Sequence, residues 1–300
     1  MTTTTARRNA RIFALAFAST ALTISGCTSM TPARFKDTRS MSAPYLGSMA
    51  LDVLTVNGAI EVSQADSQSI EITAMIKART QQRLDETLVV ADQIDDTLVV
   101  RVEWPNGKRM SNEGCSFTIA MPATESITLK SSNGAISVDS LSGPADLDTS
   151  NGRITVTDYV GDIRAETSNG RIVLESIDGS VYADTSNGSV RIFGVTGPVN
   201  ADTSNGAVVI ELADGNPGPV QIDTGNGSVT LAVGDAFTGT LTTDTSNGST
   251  HCSIGNVQSH KIGKNDWRFV FPGEGEASLI DTSNGAIKIK RIDSASAAVH

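Results

Sequence analysis

Thr149-Ser150-Asn151-Gly152 returns as Thr167-Ser168-Asn169-Gly170, and returns again at the same interval as Thr185-Ser186-Asn187-Gly188. The motif begins upstream with Ser131-Ser132-Asn133-Gly134 and reaches Thr203-Ser204-Asn205-Gly206 without a change of step. Thr224-Gly225-Asn226-Gly227 and Thr245-Ser246-Asn247-Gly248 each arrive after a slightly longer step, and Thr282-Ser283-Asn284-Gly285 after one about twice the first. A second glycine keeps the same beat: Gly143, Gly161, Gly179 and Gly197 are 18 apart, and Gly218 and Gly239 follow at 21. A fixed period of about 20 residues is the signature of a solenoid, in which each repeat stacks only on its neighbours. Two glycine beats per period mean two turns per unit, with two short runs between them.

Those runs read as strands. Apolar residues alternate in Arg153-Ile154-Thr155-Val156, in Ser189-Val190-Arg191-Ile192 and in Ala286-Ile287-Lys288-Ile289. In the other run Ile163, Ala165 and Thr167 share one side, and Arg164, Glu166 and Ser168 the other. Period-2 alternation of β-branched residues between glycine-rich turns argues half-buried strands. Beyond residue 40, only Gln81 to Asp92 hints at a helical period. The fold class is therefore all-β: one β-solenoid domain with rungs of 18–21 residues, spaced about 4.8 Å apart.

Asn tolerates a left-handed backbone and glycine adopts it freely, so Asn-Gly suits a tight corner. Stacking would put Asn133, Asn151, Asn169, Asn187, Asn205, Asn226, Asn247 and Asn284 in one column, as a hydrogen-bonded amide ladder. Gly134, Gly152, Gly170, Gly188, Gly206, Gly227, Gly248 and Gly285 follow them. The threonines from Thr149 to Thr282 fall on the inward parity and predict a hydroxyl ladder before each corner. Outward, Asp148, Glu166, Asp184, Asp202, Asp223, Asp244 and Asp281 form a carboxylate column that repels itself. Such a column fits either a row of calcium sites or a solvated face that discourages sideways pairing. The glycine-rich calcium nonapeptide is absent, and the solvated face is the reading adopted. No metal or cofactor is assigned.

Arg7, Arg8 and Arg11 precede an apolar run, Ile12 to Ile24, that is too short to span a bilayer comfortably. It ends in Leu22-Thr23-Ile24-Ser25-Gly26-Cys27, which resembles the bacterial lipobox. The resemblance implies cleavage before Cys27 and lipidation of that cysteine. Arg7-Arg8 invites a twin-arginine reading, but Arg11 sits where a hydrophobic residue would be wanted, so the general secretory route is expected. Thr28, where an Asp would signal inner-membrane retention, implies the outer membrane. Cleavage removes three arginines and takes the net charge from −10 to −13. So acidic a chain is a poor partner for nucleic acid. The organisation expected is residues 1–26 as signal peptide, 27–44 as lipidated Cys27 and flexible tether, 45–130 as N-terminal cap, 131–291 as regular repeats and 292–300 as a disordered tail. Within the cap, Val56-Asn57-Gly58-Ala59-Ile60-Glu61-Val62 looks like one more rung. Trp267, Phe269 and Phe271 predict longer strands or a hairpin at the closing end.

Cys115 and Cys252 lie about seven rungs apart in this scheme, beyond disulfide reach, and are expected to be buried free thiols. Phe237, in the loop that lengthens one rung, is either an exposed anchor or a core residue.

With these residues in place, the chain resembles the auto-transporter adhesin, head-GIN domain family over roughly residues 48 to 291. The resemblance rests on the recurring Ser-Asn-Gly followed by alternating aliphatics, on Val56-Asn57-Gly58, and on Met121-Pro122 before the regular array. It implies a right-handed β-helix on a lipoprotein or envelope protein. "Adhesin" there is a label drawn from architecture, and no catalytic residues come with it.

Three functions follow. The first is a non-enzymatic envelope binding surface for a glycan or an envelope protein. The second is a periplasmic structural or signalling component. The third, a polysaccharide-active enzyme, lacks a cluster of acid with base and a cleft in the regular rungs. His251, His260 and His300 are scattered, and no phosphate loop, nucleophile elbow or zinc motif occurs. The chain is read as no enzyme, and its oligomeric state is open at this level.

Overall fold

The structure, a computed structural model, describes residues 35–47 and 49–292. Cys27, residues 1–26 expected as a signal peptide, and the expected tail from residue 293 on lie outside the described residues. The opening strands are β1 (Phe35–Pro44), β2 (Ala50–Leu54), β3 (Ile60–Gln64) and β4 (Ser69–Ala78), followed by helix α1 (Gln81–Glu86) and then β5 (Leu88–Ile94), β6 (Thr97–Glu103) and β7 (Gly114–Met121). The regular array is β8 (Ser126–Ser131), β9 (Ile136–Asp139), β10 (Ala145–Thr149), β11 (Ile154–Val160), β12 (Ile163–Thr167), β13 (Ile172–Asp178), β14 (Val181–Thr185), β15 (Val190–Val195), β16 (Val199–Thr203), β17 (Val208–Leu212), β18 (Val220–Thr224) and β19 (Val229–Val233). The chain closes with β20 (Gly239–Thr245), β21 (Thr250–Cys252), β22 (Gln258–Lys261), β23 (Trp267–Phe271), β24 (Ser278–Thr282) and β25 (Ile287–Arg291). Among the described residues no helix is long and apolar enough to cross a membrane.

Two long sheets face each other. One runs β1-β4-β7-β3-β9-β11-β13-β15-β17-β19-β25-β21, the other β22-β23-β20-β24-β18-β16-β14-β12-β10-β8-β2-β6-β5. Each rung gives one strand to each sheet, and neighbouring rungs pair in parallel with a residue offset equal to the repeat: Ile154 on Ile172, Ala165 on Ala183, Thr167 on Thr185. The alternation read from sequence is the burial pattern. Ile154, Val156, Ile172, Leu174, Val190 and Ile192 are wholly buried, and Arg171 is exposed. This is the β-solenoid expected.

The stacking order departs from chain order at both ends. Rung β2–β3 stacks directly on β8–β9, so the intervening strands β4 to β7 form the cap beyond it. At the other end the final rung, β24–β25, slots between β18–β19 and β20–β21. The antiparallel hairpin β22–β23 then covers β20, with Phe237 edge-on to Phe271 at 4.8 Å. Phe237 is therefore a core residue.

Two further expectations are corrected. Phe35–Pro44, assigned to the flexible tether, is a ten-residue strand on β4, where Ala43 is buried and Arg39 Nη2 donates to the Leu84 carbonyl at 2.7 Å. The helical period at Gln81 to Asp92 splits into the short α1, capped by Thr80, and strand β5. Arg83 within α1 holds the buried Glu113 at 2.7 and 2.8 Å, and that guanidinium keeps the carboxyl at about 2.

Candidate binding face

The corner that carries Asn-Gly joins each strand of one sheet to its partner in the other. Its asparagines form an unbroken ladder. Asn133 Nδ2 donates to Asn57 Oδ1 at 2.6 Å, and the chain of amides continues through Asn151, Asn169, Asn187, Asn205 and Asn226. It ends Asn226–Asn284–Asn247, at 2.9 and 3.0 Å, in the spatial order of the rungs. The threonines do not form a ladder among themselves. Thr167 Oγ1 accepts from Gly170 N–H at 3.1 Å and donates to the Gly152 carbonyl of the rung below at 3.1 Å. Thr149 and Thr185 repeat this bridge, so a buried hydroxyl bonds the backbone of two rungs at once.

Nor is the corner left-handed. Neither the ladder asparagines nor their glycines have positive φ. Glycine is required because of the rung beneath: a Cβ at Gly152 would overlap the Gly134 carbonyl oxygen, and one at Gly170 would overlap that of Gly152. Positive φ lies at the opposite corner, in Gly143 and Gly161.

The carboxylates share a column, as the parallel register demands. Asp148 stands beside Lys130 and Glu166, then follow Asp184, Asp202, Asp223, Asp281 and Asp244. Partial burial first, and then like-charged neighbours, push Asp202 and Asp281 up from the ordinary carboxylate value. Asp244 rises the same way, with Asp266 and Asp281 as the neighbours. Among the described residues no group of three or more His, Cys, Asp or Glu side chains is arranged to hold a metal ion.

One step toward the other corner, the outward column is Asp146, Arg164, Tyr182, Asn200, Gln221 and Leu279. Here a groove of about 510 Å³ crosses the rungs, lined by Asp162, Arg164, Ser180, Tyr182, Asn200 and Gln221, with Pro198 and Pro219 at its margin. The Arg164 guanidinium lies 4.5 Å over the Tyr182 ring and also ion-pairs with Glu166. Asp162 accepts the Ser180 N–H at 2.9 Å and its hydroxyl at 2.6 Å, bonds that lower its pKa. The groove is thus a flat aromatic–guanidinium stack bordered by two amides and a fixed carboxylate. No repeated motif marks it in the sequence, because Arg164, Tyr182, Asn200 and Gln221 share a period but no residue type.

The cysteines lie near opposite ends of one sheet. Nine strand steps separate β7 from β21, roughly 43 Å at ordinary strand spacing. Both are free thiols. Cys115 is buried, which pushes its thiol up to about 12. Cys252 is half-buried, contrary to expectation, because β21 is an edge strand of three residues.

Residues 49–293 match the family model described as Toastrack DUF4097. The chain belongs to the Toastrack family. The head-GIN resemblance covered nearly the same residues and implied the same repeat architecture; the family shown is Toastrack. Among solved structures this Toastrack chain is similar to a candidate adhesin of Bacteroides fragilis, at 12% identity over 88% of this chain and 100% of that one, with a TM-score of 0.47. A candidate cell adhesion protein of Clostridium sporogenes aligns at 13% identity over 86% and 100%, with a TM-score of 0.31. A candidate adhesin of Parabacteroides distasonis aligns at 8% identity over 85% and 97%, with a TM-score of 0.37. No curated protein matches the chain.

Proposed function

We propose that this Toastrack chain is a lipid-anchored, non-enzymatic, adhesin-like binding module of the bacterial cell envelope, held through Cys27 in the outer membrane. The observation that carries the binding role is the groove at Arg164 and Tyr182. Stacked planar groups offer an apolar surface to the C–H face of a sugar ring, and the amides of Asn200 and Gln221 both donate and accept toward its hydroxyls. Rungs repeat this outward row at strand spacing, which suits an extended glycan lying across them. The acidic column beside the groove disfavours polyanionic ligands.

Co-sedimentation of the purified chain with isolated peptidoglycan sacculi tests the reading. Tyr182→Ala with Asn200→Ala should weaken retention about tenfold, the loss expected for ~1.4 kcal/mol. Retention that is absent, or unaltered by these changes, rejects the glycan site. Protease shaving of intact cells carrying a C-terminal tag then decides which face of the membrane the module occupies.

A further inference from the structure

The two sheets leave four terminal strands, and three of them are protected. β1 carries Lys36, Asp37 and Arg39 and ends in Pro44. β21 has three residues. β22, Gln258-Ser259-His260-Lys261, is exposed throughout and carries a lysine. Charge, proline and shortness are the usual means of blunting an edge. β5 has none of this protection. It is seven residues long, Leu88-Val89-Val90-Ala91-Asp92-Gln93-Ile94, pairs only with β6, and holds its single acid in an ion pair with Arg101 at 3.1 Å. Its two end residues are among the most exposed large apolar side chains of the described residues, Leu88 at 56% and Ile94 at 47%.

We infer that β5 pairs antiparallel with β5 of a second copy, about a twofold axis at Ala91, joining two solenoids cap to cap. The self-complementarity of the strand selects this occupant. Pairing centred on Ala91 places Leu88 opposite Ile94 of the second copy, and Ile94 opposite its Leu88. Both exposed apolar pairs are thereby covered by one operation. The same register sets Asp92 opposite Val90 of the second copy. Val90 pairs with Arg101 within its own sheet, so Asp92 shares a cross-strand row with that copy's arginine and faces no like charge. An isologous contact of this kind closes at two copies and leaves the groove at Arg164 and Tyr182 free, since that lies several rungs away.

Sedimentation velocity on the full chain in detergent tests the dimer. The native chain should sediment as a dimer at tens of micromolar. Leu88→Lys with Ile94→Lys should give a monomer that still unfolds in one cooperative transition, lower in Tm only by the concentration-dependent increment that association supplies, because both positions are solvent-exposed and the twofold sets lysine against lysine. Leu88→Lys with Ile94→Glu should restore the dimer by setting lysine against glutamate. A monomeric native chain overturns the proposal. So does a dimer that survives the double lysine change, which would place the contact elsewhere. Equal behaviour of the two double variants overturns the register. Hydrogen exchange over residues 88–94 completes the test. Protection in a monomer would show the edge covered by a segment of the same chain, and the proposal would fail.

Discussion

At the residue scale, the Asn-Gly corner owes its glycine to contact between rungs, and this changes what a substitution should do. Gly170 has ordinary φ, and its missing Cβ makes room for the Gly152 carbonyl. A left-handed corner would tolerate Asn better than Ala. A steric corner rejects both. Gly170→Ala and Gly170→Asn should each cost about 3 kcal/mol, the upper range for overpacking, as read from urea unfolding. A markedly milder Asn variant would restore the left-handed explanation. The corner motif itself was fully legible in sequence, because a contact repeated on every rung fixes residue type. Its physical cause was not, since the clash is with a residue of the neighbouring rung. Tyr159 is a second case. It is 1% exposed, and its buried hydroxyl has no hydrogen-bond partner among the described residues. Tyr159→Phe keeps the ring and removes the orphaned group, so it should stabilise by about 1 kcal/mol. A loss of stability would mean that the hydroxyl is hydrogen-bonded in solution.

At the element scale, the outward carboxylate column repels along its length while the inward face holds the strands together. Asp202 illustrates the balance, since its folded pKa is raised by partial burial and then by Asp184 and Asp223. The sign follows from linkage. A carboxyl whose pKa is higher when folded takes up a proton more readily in the native state. Its favourable contribution is present in full below the unfolded value and is lost as pH rises through the folded value. Lowering the pH from neutral toward the ordinary carboxylate range should therefore raise stability, until protonation of groups such as Glu113 reverses the gain. Asp202→Asn should melt higher than the native chain at pH 7 and show less of that rise on acidification. A lower melting temperature at pH 7 would mean that the carboxylate is bonded there rather than repelled. The in/out parity predicts the complementary pair. Ile172→Asp should abolish cooperative unfolding, because a buried Ile alone contributes about 1.5–3 kcal/mol, whereas Arg171→Asp should unfold normally. The acidic column could be read from sequence because its members share a charge. The Arg164–Tyr182 groove could not, since only the register sets those unlike residues side by side.

For the whole molecule, the repeat period announced the solenoid but not the order in which the rungs stack. Equal steps leave one arrangement, each rung on the last. The doubled step between Thr245 and Thr282 hides an insertion. β20–β21 is built one rung too far out, and β24–β25 returns to fill the space. The opening residues do the reverse, with β2–β3 laid down before the cap that covers it. No local pattern distinguishes a rung added at the end from one added inside, because every rung carries the same alternation and the same corner. The consequence is measurable. A terminal strand ordinarily frays, and its amides exchange at nearly the open-chain rate. β25 ends at Arg291, close to the end of the described chain, yet it is paired on one side with β19 and on the other with β21. Ile280 and Ile289 are wholly buried. Their amides should therefore exchange as slowly as those of Ile172 and Ile192 in the middle of the array, and more slowly than those of β21, which precedes them in sequence but forms the edge of its sheet. If β24–β25 instead exchanged fastest of all the rungs, the stack would follow chain order and the inserted rung would be wrong.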